Sequence, residues 1–457
     1  MVYQRIPIIE KTDVSILKES LTFPTSKRVA RNRFLKAALT ECLCLYEPGN
    51  VMHGVPNQSL INVYEKWGHG LFGMILCGNI PVDANHLEGP GNAIIEKKLD
   101  SPERLEGFKK MAKAGKSDGA LFVAQLSHAG RQTPLAINKT PFSASDIHLT
   151  TSSRKFLVFG KPAALSLEQI KTEIIDKFAY AAEYCYKAGF DGVQAHGAHG
   201  YLLAQFLSPT TNKRTDKYGG SLENRTRIYV DVYNAIRERV PAETGFIVGV
   251  KLNSVEFQNE GLETSDAVEA AKIIDKAGYD FIEISGGTYE KLAFGNKKDS
   301  TIIREAFFDV FAEAIKKEVK HAIVYLTGGF RRCQGMVASI KGNSCDGIGL
   351  GRPATSEPNF PKKVVEDDVQ SCADDYLDKF DFTMSTIASS IQMIDMSKQS
   401  IAECNGDPCK GIMDLSRQEV SEQFKERMLD FFQTTLSLAN PEVPACLLLD
   451  FELEVKS

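Results

Sequence analysis

Ser166-Leu167-Glu168-Gln169 opens a stretch in which Ile174, Phe178, Ala181, Cys185 and Ala188 recur, Gly189 ends the run, and Phe190-Asp191-Gly192-Val193-Gln194-Ala195 follows. A serine with glutamine three residues later is a capping box, which satisfies the end groups of a helix reciprocally. The apolar positions recur at helical spacing, and a glycine just past the last of them adopts the left-handed conformation that closes a helix. A short apolar run then starts at Phe190. Helix followed by strand is the repeating unit of an α/β chain.

The same unit recurs outward in both directions. Short apolar runs at 33–37, 71–77, 120–126, 190–195, 246–252, 279–285, 322–327 and 345–350 make eight candidate strands. Most are apolar on both faces, as strands of a covered parallel sheet are. Between them lie helical patterns with their own signals. Ser101-Pro102 supplies an N-cap and a proline at the first helical position, Gly278 closes the run 267–277, and 307–319 is amphipathic. Eight strand–helix units in a row predict an α/β fold, a closed (β/α)8 TIM barrel. An open doubly wound sheet would carry G-x-G-x-x-G after its first strand, and none follows 33–37. The expected organisation is a barrel over 15–370 and a C-terminal helical extension over 372–457, with helices at 376–395 and 417–438 and an apolar end at 445–451. The extension either docks on the barrel or makes a contact between two copies. The connection 127–165 is long and polar, with Pro134, Pro141, Gly160 and Pro162, and suits a lid.

Composition narrows the partners. A formal net charge of -5 gives no basic surface for nucleic acid or an anionic membrane. No window is apolar for long enough to span a bilayer, and Met1-Val2-Tyr3-Gln4-Arg5-Ile6-Pro7 has no apolar leader core. Ten cysteines scattered over 457 residues read as reduced thiols of a cytoplasmic protein. Cys404 and Cys409 lack the second pair that a zinc site needs, so no metal is expected.

A barrel gathers its chemistry at the C-terminal ends of its strands. After the fourth comes His196-Gly197-Ala198-His199-Gly200-Tyr201. Two imidazole N–H groups can clamp a carbonyl oxygen and the phenol can donate a proton, or the histidines simply satisfy loop backbone. The seventh strand ends in Thr327-Gly328-Gly329 and the eighth in Gly349-Leu350-Gly351-Arg352. Barrels bind phosphate there, and a guanidinium fork suits it. Lys251 stands in an apolar run and needs a partner, either an electron-rich ring edge or a carboxylate such as Glu283. Gln125 can donate and accept at a pyrimidine edge, and Thr40 offers a hydroxyl; either serves equally as a loop cap.

These residues resemble the Old Yellow Enzyme family of NAD(P)H:flavin oxidoreductases. The match is densest over His196-Gly-Ala-His199-Gly-Tyr201-Leu-Leu-Ala-Gln-Phe206-Leu-Ser-Pro209 and Asn212-Lys-Arg214-Thr-Asp216-Lys-Tyr218-Gly-Gly-Ser221-Leu-Glu-Asn224-Arg225. Arg31-Asn32-Arg33, Thr40-Glu41, Gln125-Leu-Ser-His128-Ala-Gly130-Arg131, Lys251, Thr327-Gly328-Gly329 and Gly351-Arg352-Pro353 follow in the family's order.

The resemblance implies non-covalent FMN with NADH or NADPH as hydride donor. It places Ala38, Leu39 and Thr40 along the flavin, with Gly78 and Asn79 closing on it. Gln125 and Lys251 would hold the pyrimidine side, and Gly328, Gly329, Gly351 and Arg352 the phosphate. His196 and His199 would bind the substrate oxygen, and Tyr201 would donate the proton in ping-pong reduction of an activated C=C bond. Alanine stands at 38 where the family often has proline, and Lys251 where arginine is common, so the charge is kept without the fork. Larger relatives add a four-cysteine cluster and a second nucleotide-binding domain. No C-x-x-C follows the eighth run, so neither an iron–sulfur cluster nor FAD is expected. Another FMN barrel would lack the His-x-x-His-x-Tyr loop, and a flavin-binding protein without turnover would not need it.

Overall fold

A computed structural model describes residues 3–150, 158–254, 261–285, 309–377 and 382–434. The expected apolar end at 445–451 lies outside them, as do the first residues of the 307–319 run and the last of the 417–438 helix.

Eight parallel strands close into a barrel. They are β1 (Phe34–Lys36), β2 (Met74–Pro81), β3 (Leu121–Ser127), β4 (Gly192–Gly197), β5 (Ile247–Asn253), β6 (Phe281–Ser285), β7 (Ile323–Thr327) and β8 (Gly347–Leu350). The helices α1 (Gln58–Gly68), α2 (Pro102–Gly115), α3 (Asp176–Lys187), α4 (Leu222–Arg239), α5 (Thr264–Ala277), α6 (Asp309–Glu318), α7 (Cys333–Lys341) and α8 (Phe360–Asp367) alternate with them. The predicted caps form: Ser101 accepts from Arg104 N–H, Ser166 and Gln169 make the reciprocal box, and Gly278 ends α5 at φ 105°.

Two local features depart from the expected pattern. The second strand begins at Met74 rather than 71, because Leu71 is left-handed (φ 61°) and Gly73 lies hard against the Asn32 backbone. It also runs on to Pro81 through a register shift between Leu76 and Asn79. Such a bulge re-aims the residues beyond it. Here the Gly78 N–H turns to Glu41 Oε1 (2.8 Å) and the Tyr64 hydroxyl oxygen (2.8 Å). The second departure is a wide, π-type turn over Ile170–Ile175 between the capping box and α3.

The N-terminal half of the barrel interior is apolar. Leu35, Met74, Leu121, Ile247, Phe281 and Tyr325, from the early positions of their strands, pack together with Leu21, Phe23 and Ala30. The last three come from an antiparallel hairpin, Leu21–Thr22 with Val29–Ala30, which plugs that end. The main core lies between strands and helices.

Beyond the barrel, α9 (Phe382–Ser397) and α10 (Gln418–Thr434) share a small apolar cluster with Leu377, Met413 and Leu415. Met393 and Met396 of α9 join the main core, Asn62 of α1 donates to the Ser397 carbonyl (2.9 Å), and Thr355 donates to Gln392 Oε1 (2.7 Å). Of the two placements expected for the extension, docking on the barrel is therefore the one the described residues display. Cys404 and Cys409 face different acceptors, Gln399 Oε1 and Asn359 Oδ1, rather than one another's ligand. No described helix is long and apolar enough to cross a membrane.

Candidate active site

Register brings the candidate residues into one ring at the C-terminal end of the barrel. Asn79 pairs with Gln125, Gln125 with Gln194, His196 with Lys251 and Lys251 with Glu283. All six are at least nine-tenths buried. Gln125 Nε2 donates to Gln194 Oε1 (2.7 Å), Gln194 Nε2 to Glu283 Oε2 (2.8 Å), and the Thr327 hydroxyl to Glu283 Oε1 (2.7 Å). Lys251 Nζ lies 3.1 Å from Glu283 Oε1. Of the two partners considered for Lys251, the structure supplies the carboxylate. Glu283 leaves the ammonium's other protons for a second acceptor.

The loop after β4 draws His196, His199 and Tyr201 together. The His196 ring is 5.2 Å from that of His199 and meets the Tyr201 ring edge-on at 4.6 Å. His199 holds a left-handed backbone (φ 57°), with its N–H on Asn253 Oδ1 (3.1 Å) and Nε2 on Ser285 Oγ (2.9 Å). Burial pushes the His196 imidazole well below its usual range, helped by His199 and Lys251. Burial and Lys251 push His199 down to about 3. Both rings are thus neutral at ordinary pH, and each has one N–H to donate. His196 Nδ1 is buried with no hydrogen-bond partner. Asn253 and Ser285, which fix His199, carry no motif in the sequence; only their place at strand ends marks them.

A second group lies at the ends of β7 and β8. Gly328 (φ 142°) and Gly329 (φ 90°) hold conformations that side chains resist, and glycine there lets a bound group approach the backbone closely. Leu39 packs 3.6 Å from where a Cβ on Gly351 would stand, which joins this group to Ala38, Leu39 and Thr40 after β1. Arg352 hydrogen-bonds Ser385 of α9, and both line a cavity with Arg331, Asp375 and Gln392. Burial first, then the neighbouring Arg331, lowers the Arg352 guanidinium to about 10, with Asp375 opposing. Two guanidinium groups in one partly dry cavity favour an anion between them. The Ser385 contact was not legible in the sequence, since a hydroxyl far along the chain carries no local signal.

The residues fit FMN. Its phosphate suits the paired arginines and the open glycines, and its ring edges suit buried polar atoms that lack partners, His196 Nδ1 and Asn79 Oδ1. Gly78 fits less directly, because its N–H already serves Glu41 and Tyr64. Sequence reasoning also missed Glu88, which accepts from Asn79 Nδ2 and from the Tyr201 hydroxyl (3.0 Å).

One described cluster, Asp83, His86 and His128, brings metal-ligating atoms within 4.8 Å of one another. Phe142 N–H donates to His86 Nε2 (2.9 Å) and Gly130 N–H to His128 Nδ1 (3.1 Å). The two facing nitrogens therefore carry the ring protons and are donors, not ligands. Lys177 supplies the cation by pairing with Asp83. The expected lid, 127–165, is pinned on both flanks: Phe142–Ser143 pairs with Ala163–Ala164, and Ser143 donates to Gln205 Oε1 (2.9 Å). Its central residues 151–157 lie outside the described ones.

The model of the NADH:flavin oxidoreductase / NADH oxidase family matches residues 26–370. The NADH-dependent flavin oxidoreductase nadA of Aspergillus parasiticus is 38% identical over 94% of this chain and 98% of its own length. The NADH-dependent flavin oxidoreductase iliE of a Neonectria species is 38% identical over 76% of this chain and 46% of its own. Among solved structures, the old yellow enzyme homologue from Zymomonas mobilis superposes with a TM-score of 0.62 at 24% identity, covering 78% of this chain and 94% of that one, a likeness of fold. The chain belongs to the NADH:flavin oxidoreductase / NADH oxidase family, the family of Old Yellow Enzyme.

Proposed function

We propose that the chain reduces activated C=C bonds, those of α,β-unsaturated carbonyls, in two half-reactions that share one site. Bound FMN would supply the hydride relay, taking hydride from reduced nicotinamide and passing it to the β carbon. The residues proposed to hold it are Ala38, Leu39, Thr40, Gly78, Asn79, Gln125, His196, Lys251, Gly328, Gly329, Gly351 and Arg352.

The neutral His196–His199 pair beside Tyr201 carries this reading. Two neutral imidazoles donate hydrogen bonds to a substrate carbonyl oxygen without surrendering a full proton. That draws charge from the conjugated bond as it builds on oxygen. The edge-on contact with His196 keeps Tyr201 close to the imidazoles, so its hydroxyl could protonate the α carbon of a substrate held by them. Lys251, held by Glu283, keeps a positive charge in the ring of polar residues, where negative charge accumulating on a reduced ring would be stabilised.

The test is optical. Purified protein carries bound yellow flavin, bleaches under anaerobic NADH or NADPH, and recovers its colour when 2-cyclohexenone is added. Flavin that bleaches but recovers only with oxygen or a quinone would replace the enone reading with an oxidase or quinone-reductase one.

A further inference from the structure

Glu88 is a carboxyl group that the mechanism above does not use, yet its neighbours are the residues that mechanism needs. It accepts hydrogen bonds from the Tyr201 hydroxyl (3.0 Å) and from Asn79 Nδ2, and the Thr40 side chain lies close enough to favour its charged form. Three separate elements therefore converge on it: the loop after β1, the bulged end of β2 and the loop after β4. We infer that Glu88 is the positioning and proton-supplying partner of Tyr201, holding the phenol in place and reprotonating it after each turnover. This rests on the assignment of Tyr201 as proton donor.

The proton count closes. When Tyr201 gives its proton to the substrate carbon, a phenolate is left at the Glu88 carboxyl. The Glu88 O–H bond breaks, the Tyr201 O–H bond re-forms, and the carboxylate takes its next proton from water. Transfer in that direction runs downhill, because a phenol is a far weaker acid than a carboxylic acid. The residue is only partly buried, so water can reach it between turnovers.

The surroundings shift this carboxyl towards its protonated form. Burial raises its pKa, and the nearby Glu41 adds to this, against hydrogen bonds from Thr40, Asn79 and Tyr201. The titratable groups facing it are Glu41 from the loop after β1 and Tyr201 from the loop after β4, backed by His196, while the Cys42 thiol lies beside the next residue, Gly89. Burial raises Glu41 too, although Lys36, Tyr64 and Gly78 pull it down, and wherever Glu41 is ionised its charge further opposes ionisation of Glu88.

Two measurements test the inference. Infrared difference spectra of the protein at neutral pH should show a protonated carboxyl band that Glu88→Gln removes and Tyr201→Phe shifts, since the phenol's hydrogen bond is lost. In stopped flow, Glu88→Gln should lower the ratio of enone reoxidation to flavin reduction by about tenfold, less than loss of the direct acid would. The wild-type enone step should slow as pH rises through the Glu88 ionisation, and that limb should vanish in Glu88→Gln. Glu88→Gln as fast as wild type, with Glu88→Ala slow, would leave Glu88 a hydrogen-bonding role only and overturn the proton supply. An unchanged infrared band would overturn it as well. A wild-type flavin that enones never reoxidise would instead defeat the reductase reading, while the infrared result still reports on Glu88 alone.

Discussion

The two ends of this barrel are built from the same eight strands, yet they do opposite things with buried space. At the N-terminal end Leu35, Met74, Leu121, Ile247, Phe281 and Tyr325 meet Leu21 and Phe23 of the plugging hairpin, and the polar atom buried among these side chains is the Tyr325 hydroxyl. A few residues along the same strands, Asn79, Gln125, Gln194, Lys251 and Glu283 are as deeply buried and all polar. The apolar end is stabilised simply by removal of surface from water. The polar end is tolerated only because each group is bonded, and some atoms, His196 Nδ1 and Asn79 Oδ1, are left without partners. Apolar burial sits at one mouth and buried polarity at the other.

The contrast breaks most visibly at Phe281. Phe281→Ala should cost about 3–5 kcal/mol of stability in chemical denaturation. The lost ring fills the space against Gly249, and any surviving folded protein should still bind flavin. Tyr201→Phe is the opposite case. The denaturation midpoint should move little, while the enone half-reaction slows by about 10²–10³ and flavin reduction changes far less. Equal slowing of both half-reactions would remove Tyr201 from the proton-donor role.

Arg352→Ala should weaken FMN binding by about 10- to 100-fold, read from fluorescence of released flavin, as expected for a charge-assisted contact of roughly 1.5–3 kcal/mol. Stability at the polar mouth should also depend on pH. His196 and His199 titrate below their unfolded values, so the unfolded chain takes up protons first as pH falls below about 6.5. Stability should then drop by at most about 1.4 kcal/mol per pH unit for each ring, continuing towards the folded value of about 3 for His199. His199→Asn should flatten that slope; an unchanged slope would mean the ring is not buried as a neutral group. The smallest effect is at Ser385, whose loss from the Arg352 contact should lower FMN affinity by a few-fold, on the order of 1 kcal/mol.

Much of this was legible in the sequence, for identifiable reasons. Strands covered on both faces leave continuous apolar runs, and helix ends leave caps, so the barrel could be laid out in order. The histidine–tyrosine loop was legible because its three side chains lie close in the chain. Glu88 was not, because it sits in an irregular loop and meets Thr40, Asn79 and Tyr201 only through folding. The bulge before Asn79 was hidden for a similar reason: Glu41 and Tyr64, which take up the Gly78 N–H, are remote in sequence. Lys251 had two possible partners, and only the register of β5 against β6 set Glu283 opposite it.

Titration of the oxidised protein with a simple phenol probes the polar mouth most directly, since a phenolate stacked on flavin gives a long-wavelength charge-transfer band. On the proposal that His196 and His199 bind the substrate oxygen, wild type should develop that band and His196→Ala should bind the phenol far more weakly. A band of equal strength and affinity in both would mean that the imidazoles do not face the flavin, and would contradict the placement of the active site at this loop.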